Sequence, residues 1–417
     1  MHHEGGVVVD IGQGAADEDF GELVVMPGLV DSHVHVNEPG RESWEGFRTA
    51  TRAAAAGGTT TIVDMPLNSI PPTVDPEALA AKRTAAAGGI AVDVAFWGGL
   101  IPGSEPWVES LVGAGVCGFK SFLVDSGVPE FPPMTLSGLE AVLPELARLG
   151  VPLLLHAEDP IRLHQMSGDT RSYRTYLESR PPESEGEAVG QAVGLSARTG
   201  GQIHVLHVSS ADATDMLRGA GPELSAETCP HYLTFSAEEI GSGATEFKCA
   251  PPIRARVHRE ALWEALADGT LVMIVSDHSP APPELKAAES GDFSTAWGGI
   301  SSLQIRLQVI WTEASRRGFG FERLVEWLST APARLAGLDR KGSIENGKDA
   351  DFLVWDPDGV TQVVGSGLEH RHSLTPYEGM RLRGKVEKVT LGGQTLYEAD
   401  TGVLGCGGRM LERGWST

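Results

Sequence analysis

The chain has 417 residues, with 33 Lys and Arg against 56 Asp and Glu, for a formal net charge of −23. So acidic a surface repels phosphate backbones and anionic headgroups, which argues against nucleic acid or membrane as partners. A hydrophobic content of 41% is ample for a large core, and the length suits a barrel, a fold that routinely exceeds ordinary domain size.

In chain order, short apolar runs at 6–10 and 22–26 read as strands. Then β-rich runs alternate with helical stretches. The runs fall at 28–35, 60–66, 91–98, 116–122, 151–156, 203–208, 224–229 and 271–277. Ala-rich or amphipathic segments at 45–57, 75–88, 135–149, 185–199 and 255–268 lie between them. This alternation predicts an α/β architecture with a parallel sheet. Eight units close naturally as a TIM-type (β/α)8 barrel, whose sites form at the carboxyl ends of the strands. Beyond residue 335 the pattern changes: 342–355 reads as a turn and strand, and 384–393 as a strand and hairpin turn. We therefore expect residues 1–26 and 336–417, with a C-terminal tail, to build a small β-sandwich domain beside a barrel spanning 27–335. Cys117, Cys229, Cys249 and Cys406 form no CxxC pair. With no secretory leader and no long apolar span in the sequence, they predict a reducing, cytoplasmic setting.

Six polar residues stand at the ends of the apolar runs. His33 and His35 are two apart on the first predicted strand, so both imidazoles face one way and can grip one metal. His156 closes Val151–Leu155 and His207 closes Ile203–Leu206. His204 shares that last run with opposite parity; His207 is preferred because it lies nearer the end, before Ser209-Ser210, a helix-cap signal. Imidazole suits zinc and similar ions, so these two can hold a second metal. Asp277 ends Leu271–Ser276. A carboxylate there can bind metal, take a proton from water, and hand it to a departing nitrogen. Lys120 ends the run 115–119. A bare ammonium beside two dications is repelled. Lysine makes sense there once its amine has added carbon dioxide, giving an anionic carbamate with one oxygen for each metal.

Taken together these residues resemble the amidohydrolase superfamily, in its cyclic-amidase branch of dihydroorotases, hydantoinases and allantoinases. The resemblance runs from Met26-Pro27-Gly28 to Gly347-Lys348-Asp349-Ala350-Asp351. Within the branch the chain looks most like the allantoinases, through stretches 37–41, 64–69, 120–123, 228–235 and 247–254. The resemblance implies two divalent ions, expected to be zinc, held by His33, His35, His156, His207, Asp277 and a carboxylated, bridging Lys120. It implies hydrolytic opening of allantoin to allantoate through a bridging hydroxide. It places Asn68 on the substrate and the backbone near Ala250 and Gly298 on the imide-like edge of the ring. It also implies a homo-oligomer, a tetramer. Dihydroorotases carry an arginine two positions after their HxH, where this chain has Asn37. A neutral amide cannot neutralise a substrate carboxylate but can pair a ureido group, although Arg41 stands near. A hydantoinase, dihydropyrimidinase or dihydroorotase, or a scaffold relative without catalysis, are the alternatives. Relatives usually have a longer lead before the Met-Pro-Gly-Leu turn, so the small β domain is expected to be incomplete at its start.

Overall fold

The computed structural model describes residues 1–12, 14 and 17–414. Eight parallel strands form the barrel among these residues: Leu29–Val34, Thr59–Asp64, Asp93–Phe96 resumed at Gly98–Gly99, Phe119–Phe122, Leu153–His156, Ile203–Val205, Leu224–Thr228 and Met273–Ile274. Each pairs with the next in parallel register. Most of their residues are buried, because side chains fill the barrel inside and helices cover it outside. That is why most of the runs read as near-continuously apolar rather than alternating, the Thr-rich second strand and Leu224–Thr228 excepted. The covering helices include Phe47–Ala56, Pro76–Ala86, Leu136–Leu149, Pro182–Thr199 and Arg256–Asp268, close to the segments expected.

Local chemistry sets the helix ends. Asp75 accepts from Ala78 N at 2.8 Å, and Thr135 from Gly138 N at 3.1 Å. Ser210 accepts from Ala213 N at 3.2 Å, so it caps Ala211–Leu217 as the sequence indicates. Helices ending before Gly150 and Gly200 stop where the chain turns left-handed, at φ 67° and 69°, a region open to glycine.

The eighth strand is shorter than the apolar run, because the barrel seam is closed partly by side chains. Asp31 accepts from Ser276 N at 3.2 Å with both oxygens and pairs with Arg306 at 3.2 Å. That guanidinium, fully buried, also reaches the carbonyls of Val30 and Ile274. Beyond the strand, a bridge joins Val34 to His278, and His35 N donates to the His278 carbonyl at 2.8 Å.

The smaller β unit is a five-stranded antiparallel sheet. Phe352–Gln362 and Arg381–Leu391 form its middle, with Val24–Pro27 on one edge and Gln394–Glu398 then Gly402–Val403 on the other. Both ends of the chain contribute, as expected, and Val24–Pro27 runs straight into the first barrel strand. Val7–Asp10 pairs instead with His2–Glu4, touching the rest through a Val7–Asp349 bridge. Asp93 from the barrel, Asp349 and Asp351 converge on the Lys341 ammonium at 2.6, 2.8 and 2.6 Å. A lysine thus fills this carboxylate cluster and ties the β unit to the barrel.

Candidate metal centre

At the carboxyl end of the barrel, six side chains from five strands converge. His33 Nε2 and His35 Nε2 stand 3.1 and 3.6 Å from Asp277 Oδ1, and the three residues present ligand atoms within 4.8 Å of one another. Lys120 Nζ lies 3.4 Å from His33 Nε2. On the other side His156 Nδ1 and His207 Nε2 face each other at 3.1 Å. Two imidazole nitrogens this close can serve one cation as a donor pair, and among the described residues His207 Nδ1 is buried with no hydrogen-bond partner. His204 is turned away and satisfied: its nitrogens meet Ser225 Oγ at 2.7 Å and Glu227 Oε2 at 3.1 Å.

The backbone is strained at this rim. Asn37, Asn68, His207 and Asp277 have φ of 67°, 67°, 39° and 44°. They are four of the five non-glycine residues with positive φ among those described, and each such conformation costs about 1–3 kcal/mol. The turn out of the strand after Val205, and after Ile274, is what swings His207 and Asp277 over the barrel mouth.

Burial and neighbouring charge set the protonation states. Burial pushes His35, His156 and His207 below the ordinary imidazole range, with other cationic groups adding to it for His35 and His207. Neutral imidazole is the ligating form. Burial also opposes charge on His33, yet the Asp277 and Glu227 carboxylates raise it overall. Asp277 is held far below the usual carboxylate range: burial works against this, and His33 outweighs it. Burial pulls the Lys120 ammonium down to about 8. Among the described residues its only nitrogen or oxygen contact is His33; the Phe122 ring lies 4.9 Å away.

Glu227 and Glu158, not picked out in the sequence, stand behind the histidines. Glu227, on the seventh strand, binds His33 Nδ1 at 2.6 Å, and its pKa falls to about 2 as His33 and His204 overcome its burial. Glu158 binds His156 Nε2 at 2.7 Å and is clamped by Arg180. Each carboxylate fixes the far nitrogen of an imidazole and so aims the near one. An acid inside the predicted strand at 224–229, and one two residues after His156, were the available signals.

The cavity above these groups holds about 370 Å³ and is lined by His35, Lys120, His156, His207 and Asp277, with His33 beneath. Asn68, Ala250 and Gly298 also line it. Asn37 does not. It sits behind Asn68, accepting from Asn68 Nδ2 at 3.0 Å and reaching the Pro280 carbonyl at 3.5 Å. Arg41 is ion-paired with Glu130 and donates to the Asn68 carbonyl at 2.6 Å. Arg180 is committed to Glu158, and Lys248 to the carbonyls of Phe293 and Ala296. Among the described residues, no helix is long and apolar enough to cross a membrane.

Residues 24–396 match the Amidohydrolase family. The allantoinase of Streptomyces avermitilis is 49% identical over 97% of this chain and 91% of its own length. That of Arabidopsis thaliana is 46% identical over 91% and 79%. Among solved structures, the L-hydantoinase (dihydropyrimidinase) of Arthrobacter aurescens superposes with a TM-score of 0.92 at 30% identity, over 99% of this chain and 95% of its own. The chain belongs to the amidohydrolase family.

Proposed function

We propose that this member of the amidohydrolase family hydrolyses allantoin to allantoate at a centre of two divalent cations, expected to be zinc. The observation that carries the choice of ring is the absence, among the described residues, of an uncommitted arginine on the cavity wall. Arg180, on the wall, is held by Glu158, and Arg41, which stands near but does not line the cavity, by Glu130; Asn37 stands where dihydroorotases place arginine. A substrate carboxylate buried here would lack a partner, at a cost of several kcal/mol. Allantoin is neutral and brings a ureido arm of donors and acceptors, matching the amide of Asn68. Relatives at 49% and 46% identity that carry the name allantoinase support the same choice.

The donor set fits the cations: four imidazoles, mostly held neutral, one ionised carboxylate, and Lys120. A buried lysine whose polar neighbour is an imidazole gains from adding carbon dioxide, which replaces a positive charge by an anion with two ligand oxygens. When bound, the cations supply an acidified water and polarise the scissile carbonyl. Asp277 faces the cavity, ionised, and accepts a proton from the attacking water. It then passes that proton to the departing ring nitrogen. The peptide groups of Ala250 and Gly298 hold the imide edge, while Asn37 orients the amide of Asn68 through their 3.0 Å bond. A reducing, cytoplasmic setting accords with the free cysteines, and a tetramer completes this reading.

A turnover panel with metal content measured alongside is the test. Allantoin should exceed dihydroorotate by a wide margin and simple 5-substituted hydantoins by a smaller one. Asn37→Arg should weaken allantoin hydrolysis more than metal binding. Preference for dihydroorotate, or equal turnover of alkyl hydantoins, would overturn the choice of allantoin.

A further inference from the structure

Lys286 lies in the loop after the eighth barrel strand and is 4% exposed. Its ammonium makes no ion pair among the described residues. It donates instead to three carbonyls: Lys248 at 3.1 Å, Trp297 at 3.0 Å and Gly299 at 2.7 Å. An ammonium has three donors, so all are used. The acceptors belong to two separate segments that meet at the cavity. One precedes Cys249 and Ala250; the other flanks Gly298. Gly299 N also donates to the Lys248 carbonyl at 2.8 Å, a single backbone bond between segments that form no sheet together. The two segments lie in contact: a Cβ on Gly298 would stand at ordinary van der Waals distance, 3.8 Å, from Ala250 N, while one on Gly299 would strike the Ser279 carbonyl. Burying an ammonium without a counter-charge is unfavourable, and such a feature beside a cavity points to a task there.

We propose that Lys286 is a positioning residue that sets how the peptide groups of Ala250 and Gly298 converge on the substrate ring. The loop carrying Gly298 lacks regular secondary structure from Ser279 to Gly299, so its register against Ala250 depends on point contacts. One cation accepted by carbonyls from both sides fixes both at once. Lys248 secures the outer part of the same loop through Phe293 and Ala296, leaving Lys286 to hold the part nearest the ring. The inference rests on the proposed imide-edge role of these two peptide groups.

The test compares the metal-loaded protein with Lys286→Met, which keeps length and removes the donors, and Lys286→Gln, which keeps two N–H donors. KM for allantoin should rise at least tenfold in the methionine variant and less in the glutamine variant. Inhibition by acetohydroxamate, a fragment that addresses the metals alone, should stay within twofold, with metal content unchanged. Amide hydrogen exchange across 245–253 and 293–300 should quicken at least tenfold while the barrel strands keep their protection. An unchanged KM in a folded variant would overturn the proposal, as would parallel weakening of allantoin and acetohydroxamate. If the methionine variant does not fold, the glutamine variant carries the same criteria. Should the wild type not turn over allantoin, the substrate assignment fails, while the exchange measurement still decides whether Lys286 orders the two segments.

Discussion

Replacing Glu227 by glutamine isolates one charge beneath the metal centre. The carboxylate binds His33 Nδ1 at 2.6 Å and His204 Nε2 at 3.1 Å, all three side chains being wholly buried. Glutamine has the same shape. Its oxygen can still accept from His33, and its amide can donate to His204 if that ring carries its proton on Nδ1, toward Ser225 Oγ, 2.7 Å away. The fold should therefore persist, and what is lost is the charge on the acceptor. A hydrogen bond to a charged group contributes about 1.5–3 kcal/mol and a neutral one about 0.5–1.5. The difference, about 1–2 kcal/mol, bears on how firmly His33 is aimed and how basic its Nε2 is. At 1.4 kcal/mol per factor of ten, metal affinity should fall roughly 5–30-fold. Competition against a chromogenic chelator reads this directly, with circular dichroism to confirm an intact fold. Affinity within twofold of wild type would refute the view that Glu227 acts on the metal site through His33.

Lys120→Ala should lose metal and activity together, and a short carboxylic acid should restore part of both by supplying oxygens in place of the proposed carbamate; mass and metal analysis check it, and an unmodified lysine in an active two-metal protein would oppose the bridging role. Arg306→Met should lower the free energy of unfolding by about 3–5 kcal/mol, because it strands the buried Asp31 carboxylate at the barrel seam; urea denaturation measures this, and adding Asp31→Leu should recover part of the loss. Lys286 bears on pH. Burial holds its pKa to about 7, below the unfolded value of about 10.4, so in the folded protein the three-donor ammonium that joins the two segments persists at and below neutrality and gives way to a two-donor amine above it. The unfolded chain therefore binds more protons between those limits, and this lysine makes stability rise with pH across that window by at most about 1.4 kcal/mol per unit. Lys286→Met should flatten that rise between pH 7.5 and 9.5, and parallel urea midpoints for the two proteins would count against it.

The barrel and the candidate ligands at its strand ends were legible in the sequence for a physical reason. Parallel strands buried on both faces are mostly apolar along their length, so a histidine, lysine or aspartate that closes such a run stands out against it. The runs ending at His35, Lys120, His156, His207 and Asp277 carry that signal locally, and the period of two pairs His33 with His35 without reference to any other element. Choosing His207 over His204 by its place near the strand end rests on the same local logic, and the structure places His204 against Ser225 and Glu227 instead. Contacts between residues far apart in the chain left no such trace. Only the closed barrel brings Glu227 under His33, 194 positions away. Only tertiary packing shows that Asn37 reaches the cavity through Asn68, and that Arg41 is spent on Glu130. The seam made by Asp31 and Arg306 accompanies the shorter last strand for the same reason: a carboxylate took over one backbone donor, Ser276 N–H, that the apolar pattern assigns to a ladder. Residue types and spacing determine which groups can ligate or donate. Which of them remain uncommitted is decided by partners that only the folded chain brings within hydrogen-bond reach.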